Sequence, residues 1–186
     1  MRVIGGEKRG FKLACPPGMR VRPTPERVRE AAFNILAPRI VGASVLDLMA
    51  GTGALGIEAL SRGAKKAVFV DNHSQSIETI RRNLARCGLA HLGTVIKKDA
   101  FSFLKQGAGT LGPFDLIFID PPYGWKKLPQ LLRLISTSDF KPESLVVVEQ
   151  AFGAEVPLAA GQLLQFQRRR YGNSELVLYR LKNKNI

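Results

Sequence analysis

The chain has 186 residues, enough for one substantial core but not two. Its composition, 45% hydrophobic and 23% charged, is that of a globular domain, and no apolar run approaches the ~18 residues of a membrane-spanning helix. The formal net charge of +13 points to a polyanionic partner, and the excess flanks a nearly neutral middle: residues 1–39 carry +6, residues 40–160 carry +2 and residues 161–186 carry +5.

The opening stretch, Met1-Arg2-Val3-Ile4-Gly5-Gly6, lacks the apolar core of a signal peptide, which implies a cytoplasmic location. Cys15 and Cys87 have neither CxxC spacing nor nearby His partners, and are expected to be reduced, partly buried thiols. Residues 2–4 and 11–15 suggest two short strands joined by a loop containing Gly5, Gly6 and Gly10. Lys8, Arg9 and Lys12 can meet phosphates there, or belong to a basic arm with no fixed role. Pro23 extends the chain before it, Thr24 is a good N-cap, Pro25 suits the first helical position and Glu26 favours the positive helix end. Val28, Ala31, Ala32, Ile35 and Leu36 form one apolar face, so this helix should pack on the body. Its opening gathers Arg22, Thr24 and Arg27, either to reach a carboxylate or phosphate or simply to be solvated.

Residues 44–48 form a short buried strand, Gly51 and Gly53 break it, and Ala54–Ser61 restarts the chain as a helix. Without side chains at Gly51 and Gly53, a ligand can lie against the backbone from Ala50 through Thr52 and against the helix N–H groups. Gly51, Gly53 and Gly56, with Asp71 about 20 residues on, also fit a dinucleotide fingerprint. Asp47 argues against a dinucleotide, because an acid just before the loop repels a pyrophosphate. It suits a ligand with a cationic end, such as S-adenosylmethionine (AdoMet), whose methionine end carries an ammonium beside a sulfonium. A structural turn with a solvated Asp is the alternative.

Lys66–Asp71 is the second strand, and Asp71 at its carboxyl end offers two acceptor oxygens suited to a pair of ribose hydroxyls. Residues 74–87 form a helix with Ile77, Ile80 and Leu84 inward, and Arg81, Arg82 and Arg86 outward on a solvated face. Gly93–Lys97 is a third strand, ending at Asp99 and Ala100. There the carboxylate can accept from an adenine amino group, cap the helix 101–105, or do both. Residues 114–119 make the clearest central strand, residues 127–136 a helix and residues 144–150 a fifth parallel strand. Residues 162–171 and 174–181, separated by Gly172 and Asn173, form a hairpin. This alternation implies an α/β fold: an open, mostly parallel sheet with helices on both faces and a C-terminal antiparallel hairpin.

The central strand runs into Asp120-Pro121-Pro122-Tyr123, at the end of the sheet where open α/β folds hold ligands. The Asp120 carboxylate, ionised at neutral pH, and the Pro121 carbonyl can together accept both N–H bonds of a planar exocyclic amine. Tyr123 offers a flat face for the attached base. A nucleobase amine is a poor nucleophile because its lone pair is delocalised. Acceptors that draw its N–H bonds out of plane aim that lone pair at an electrophilic methyl, and orientation supplies up to ~7–11 kcal/mol. A simple turn with a capping Asp is the alternative. His73 and His91 are scattered, and no metal-ligand cluster is expected.

Arg2-Val3-Ile4-Gly5-Gly6, Arg9-Gly10, Arg22-Pro23-Thr24, Arg27-Val28-Arg29-Glu30, Phe33-Asn34, the loop from Ala50 to Gly56 and Asp120-Pro121-Pro122-Tyr123 together resemble the RsmD family of bacterial 16S ribosomal RNA guanine-N2 methyltransferases. The resemblance spans nearly the whole chain. It implies the class I AdoMet-dependent methyltransferase (Rossmann-like) sheet over residues 40–186, with a basic N-terminal extension over residues 1–39 packed on it as one domain. It also implies AdoMet as cofactor and a guanine of 16S rRNA, presented in an assembling small subunit, as substrate. Asp71 stands where relatives often have Glu, and Phe11 replaces a frequent basic residue.

The same tetrapeptide serves DNA adenine-N6 and cytosine-N4 methyltransferases, but the N-terminal blocks and the lack of a target-recognition domain disfavour them. An NAD-linked oxidoreductase and a non-catalytic RNA-binding module are the readings from other classes. Arg9, Arg22, Thr24, Arg27, Arg168, Arg169 and Arg170 are the candidate RNA contacts. Asp47, Ala50, Gly51, Thr52, Gly53, Asp71, Asp99 and Ala100 are the candidate cofactor contacts.

Overall fold

Five parallel strands form one side of an eight-stranded sheet in the computed structural model, which describes residues 1–16, 26–107, 111–122, 124–138 and 140–182. In chain order they are β1 (Ser44–Leu48), β2 (Lys66–Asp71), β3 (Gly93–Lys97), β4 (Leu116–Ile119) and β5 (Leu145–Ala151). The antiparallel β6 (Ala159–Ala160), β7 (Leu163–Tyr171) and β8 (Ser174–Leu181) complete the set. The order across the sheet is β3-β2-β1-β4-β5-β8-β7-β6, and β8 joins β5 in antiparallel register. The mostly parallel sheet closed by a C-terminal hairpin is therefore the architecture that the sequence implies. The two-residue β6 has no counterpart in that expectation.

The parallel strands are apolar almost throughout because helices cover both faces. Val45, Phe69, Leu116, Phe118 and Val147 point into a core shared with α1 (Glu26–Leu36), α2 (Ala54–Ser61) and α3 (Ser74–Arg86). Leu46, Leu48, Ile117, Ile119 and Val148 point the other way, into a core with α4 (Ala100–Lys105) and α5 (Leu128–Ser136). None of the described helices is long and apolar enough to cross a membrane.

The N-terminal segment corrects one expectation. Residues 2–4 and 11–15 pair antiparallel only briefly: one bridge joins Arg2 and Lys12, with the Val3 N–H donating to the Phe11 carbonyl and the Leu13 N–H to the Met1 carbonyl, each at 3.0 Å. The reason lies in where its backbone groups go. The N–H groups of Ile4 and Gly5 both donate to the Glu58 carboxylate of α2 at 2.7 Å, and that of Lys8 donates to Ser61 Oγ at 2.9 Å. Beyond its short self-pairing the segment is thus tied to a helix, and Val3 and Leu13 are buried in the α1–α3 core.

Two smaller corrections concern burial. Cys87 is buried but Cys15 is exposed, so the two thiols do not share a partly buried setting. On α1 the buried residues are Val28, Arg29, Ala32, Phe33 and Leu36, while Ala31 and Ile35 are half-buried. Phe33 turns the helix that way: its ring packs 5.5 Å from that of Phe118 on β4.

Candidate active site

β1 lies between β2 and β4, with Leu48 paired to Val70 on one side and to Ile119 on the other. The chain leaves β1 for β2 and β3, then returns to β4 across β1, so the strand order reverses between β1 and β4. Open α/β sheets hold ligands at such a reversal. Two of the stretches singled out from the sequence leave the sheet there: residues 49–53 after β1 and Asp120-Pro121-Pro122 after β4. Tyr123 lies outside the described residues.

Three carboxylates converge on these strand ends. Asp47 is buried, and its Oδ2 accepts the Gly56 N–H at 2.9 Å. Burial pushes its carboxyl well above the usual carboxylate range; the Gly56 N–H opposes the rise, and the charges of Asp120 and Asp71 add to it. Asp71, also buried, accepts the Gly51 N–H at 2.8 Å through Oδ2 and the His73 N–H at 2.9 Å through Oδ1. Asp47 therefore holds the far end of the loop and Asp71 its near end. A carboxylate oxygen has two lone pairs, so Asp71 Oδ2 can still accept from a hydroxyl while it holds Gly51. Asp120 is half-buried, Pro121 is buried and Pro122 is exposed.

Between those anchors the backbone is strained and open. Met49 sits at φ +62°, a left-handed conformation costing a side-chain-bearing residue about 1–2 kcal/mol, and such strain gathers at ligand sites. Gly51, at φ +57°, would place a Cβ with nothing within 4 Å, so it borders open space. Gly56 does different work. A Cβ there would lie 2.3 Å from Phe69 Cε1, so its absence lets α2 sit directly on β2. One spacing motif thus contains a ligand-facing glycine and a packing glycine.

Two buried polar residues given no role by the sequence fasten the N-terminal segment, Asn83 to this loop and Arg29 to α1. Asn83 on α3 is fully buried; it accepts the Ala14 N–H at 2.8 Å and donates to the carbonyls of Ala14 (3.1 Å) and Thr52 (3.0 Å). Arg29 on α1 is fully buried, and its Nη2 donates to the Arg2 carbonyl at 2.7 Å. Burial lowers the Arg29 pKa, and Glu58, Glu26 and Glu149 oppose that fall. The available signal was a polar residue at an inward helical position: Asn83 follows Ile80 by three, and Arg29 precedes Ala32 by three.

The remaining candidates divide. Asp99 caps α4, its Oδ1 accepting the Ser102 N–H at 3.1 Å, and the neighbouring Ala100 is buried. Arg9, Arg27 and Arg169 are exposed, whereas Arg22 and Thr24 lie outside the described residues. Arg168 pairs with the buried Glu175 at 2.5 Å, and Arg170 stacks on Phe152, 3.6 Å from guanidinium carbon to ring centroid. The three arginines belong to the same end of the sheet as Asp120. Ile119 pairs with Val148, Val148 with Val177, and Val177 with Arg168, a row across four strands. Among the described residues no group of three or more His, Cys, Asp or Glu is arranged to hold a metal ion.

Residues 1–180 match the family model described as "Conserved hypothetical protein 95". The chain is 38% identical over 181 residues to YlbH of Bacillus subtilis (strain 168), covering 97% of this chain and 98% of the relative. It is 41% identical over 150 residues to "Ribosomal RNA small subunit methyltransferase D" of Escherichia coli (strain K12), covering 80% of this chain and 74% of that protein. The solved structure of Escherichia coli yhhF superposes with a TM-score of 0.85 at 36% identity, over 98% of both chains.

Proposed function

The chain belongs to the RsmD family, and from that premise we propose that it transfers a methyl group from AdoMet to the exocyclic N2 amine of a guanine in 16S ribosomal RNA. Its sheet is the Rossmann-like sheet of class I methyltransferases. The observation that carries the reading is the convergence of Asp47, Asp71 and Asp120 on the neighbouring ends of β1, β2 and β4, around a loop with open space at Gly51. Mutually repelling acids at a glycine loop disfavour a pyrophosphate and favour a cation.

The residues present fit AdoMet: an acidic surround for its charged end, Asp71 for ribose hydroxyls, and the loop backbone from Ala50 to Gly53 beside room that a side chain would fill. Asp99 and Ala100, at the end of β3, complete the proposed cofactor contacts near the base. When bound, AdoMet supplies a methyl on a positively charged sulfur. Asp120 and the Pro121 carbonyl accept the two N–H bonds of the guanine amine and draw them out of the ring plane, which localises the lone pair on nitrogen. Pro122 keeps the turn stiff, and Tyr123 stacks on the base. The methylated nitrogen is strongly acidic, so its proton leaves without a tuned base and Asp120 serves as an orienting acceptor.

Arg9, Arg22, Thr24, Arg27, Arg169 and Arg170 are proposed RNA contacts, with residues 1–39 as the extension that carries the first four. An assembling small subunit in the cytoplasm is the proposed setting. The test is label transfer from methyl-tritiated AdoMet to purified 16S rRNA and to small-subunit particles, followed by nucleoside digestion. Label in N2-methylguanosine supports the reading, and label in N6-methyladenosine or in no nucleoside defeats it.

A further inference from the structure

Phe152 follows β5 at the end of the sheet where Asp120 follows β4. It is 48% exposed, large for an aromatic ring, yet its position is held: its N–H donates to the Asn173 carbonyl at 2.9 Å, and the Arg170 guanidinium lies 3.6 Å over its ring. Arg170 is itself pinned, its Nε donating to the Gly172 carbonyl at 3.0 Å. A ring and a guanidinium plane are therefore stacked in advance on the rim of the sheet.

Their distance from the site follows from register. Ile119 is level with Val148, so Asp120 lies one residue and Phe152 four residues beyond that level, just past the ends of adjacent strands. With strand spacing and rise of about 4.8 and 3.3 Å, the two backbones are roughly 11 Å apart. That separation is too great for the same base and suits a neighbouring nucleotide.

We infer that Phe152 and Arg170 form a stacking platform for the nucleobase adjacent to the target guanine in single-stranded RNA. The inference rests on the proposed RNA methylation and adds a subsite to it. An enzyme that works on a base must take it out of the stack, which strips the neighbouring base of its partner. Aromatic rings and guanidinium planes replace such a partner without reading sequence. Positive charge surrounds the platform: Arg169 is exposed one residue away, and the last 26 residues carry a balance of +5.

The test uses the intact protein with Phe152→Ala, Phe152→Leu and Phe152→Trp, and 16S rRNA as substrate. Phe152→Ala should lower kcat/KM for RNA about 5- to 150-fold, the range of one base–aromatic stack, with the salt dependence of binding and calorimetric AdoMet affinity unchanged. Phe152→Leu should stay low and Phe152→Trp should recover. A 16S rRNA fragment with 2-aminopurine beside the methylated guanosine should lose fluorescence on binding wild type but not Phe152→Ala. Full activity of Phe152→Ala, or recovery by Leu equal to that by Trp, overturns the platform while wild-type turnover leaves the parent reading intact. Wild type that methylates no guanosine defeats the parent reading itself.

Discussion

Asn83 on α3 holds the Thr52 carbonyl of the glycine loop, 3.0 Å from its Nδ2, while the same side chain grips Ala14 at both its N–H and its carbonyl. The N-terminal segment and the loop are therefore fastened to one fully buried amide, and Thr52 also reaches the segment through its hydroxyl, 3.7 Å from Met1 Sδ. Asn83→Ala removes all three bonds of that amide and leaves buried partners unsatisfied. We expect a loss of about 2–3 kcal/mol in urea unfolding. AdoMet affinity measured by calorimetry should fall as well, because the loop loses its brace. Unchanged affinity in a destabilised variant would make Asn83 a purely structural clamp.

Asp120 should separate binding from chemistry. Asp120→Ala removes an acceptor that acts on the amine, so AdoMet affinity should stay within about threefold while single-turnover methyl transfer drops by about 10²-fold or more. Retained transfer would remove Asp120 from the reacting centre.

The glycines of one motif should fail differently. Gly51→Ala imposes a left-handed strain of about 1–2 kcal/mol and puts a methyl into the open space beside the loop, so AdoMet binding should suffer most. Gly56→Ala forces a contact with Phe69, and overpacking of this kind costs about 1–3 kcal/mol, so stability should suffer most. Thermal melts and calorimetry on both variants check the contrast.

Asp47 predicts a pH dependence of stability. Its folded carboxyl lies well above the usual range, mainly through burial, against about 3.9 in an unfolded chain. The folded state then binds the extra proton, so stability from this group is full below the unfolded value and is lost as pH rises toward and through the folded value. Denaturant midpoints across that window should decline with pH in wild type and decline less in Asp47→Asn. Parallel profiles would contradict the buried setting of Asp47.

Arg168 and Arg169 are adjacent but not equivalent. Arg168→Ala strands the buried Glu175 and should cost about 1–3 kcal/mol of stability. Arg169→Ala should leave stability alone and reduce the salt slope of rRNA binding by about one. An unchanged slope would take Arg169 out of the RNA interface.

Much of the fold was legible because its strands are buried on both faces. Val45–Leu48, broken only by Asp47, and Leu116–Ile119 are apolar and are followed within three residues by glycine or proline, a pattern that marks both the strand and the point where it opens to ligand. The acids at those ends were legible as candidates, but their first duty was not. That Asp47 holds Gly56 and Asp71 holds Gly51 depends on how α2 and β2 pack, which no local pattern encodes. The N-terminal residues looked like strands because alternation is all that a short segment shows. They pair with one another only briefly, and the N–H groups of Ile4 and Gly5 go to Glu58, more than fifty residues away. Arg29 and Phe152 were opaque for opposite reasons: a buried arginine among apolar neighbours and an exposed phenylalanine after a strand both break the rule by which burial is read from residue type.

The most direct measurement of the central claim is mass-spectrometric mapping of modified nucleosides in 16S rRNA from cells with and without the gene. Cells without it should lack one N2-methylguanosine, restored by the wild-type gene and not by Asp120→Ala. Identical modification maps in the two strains would contradict the account.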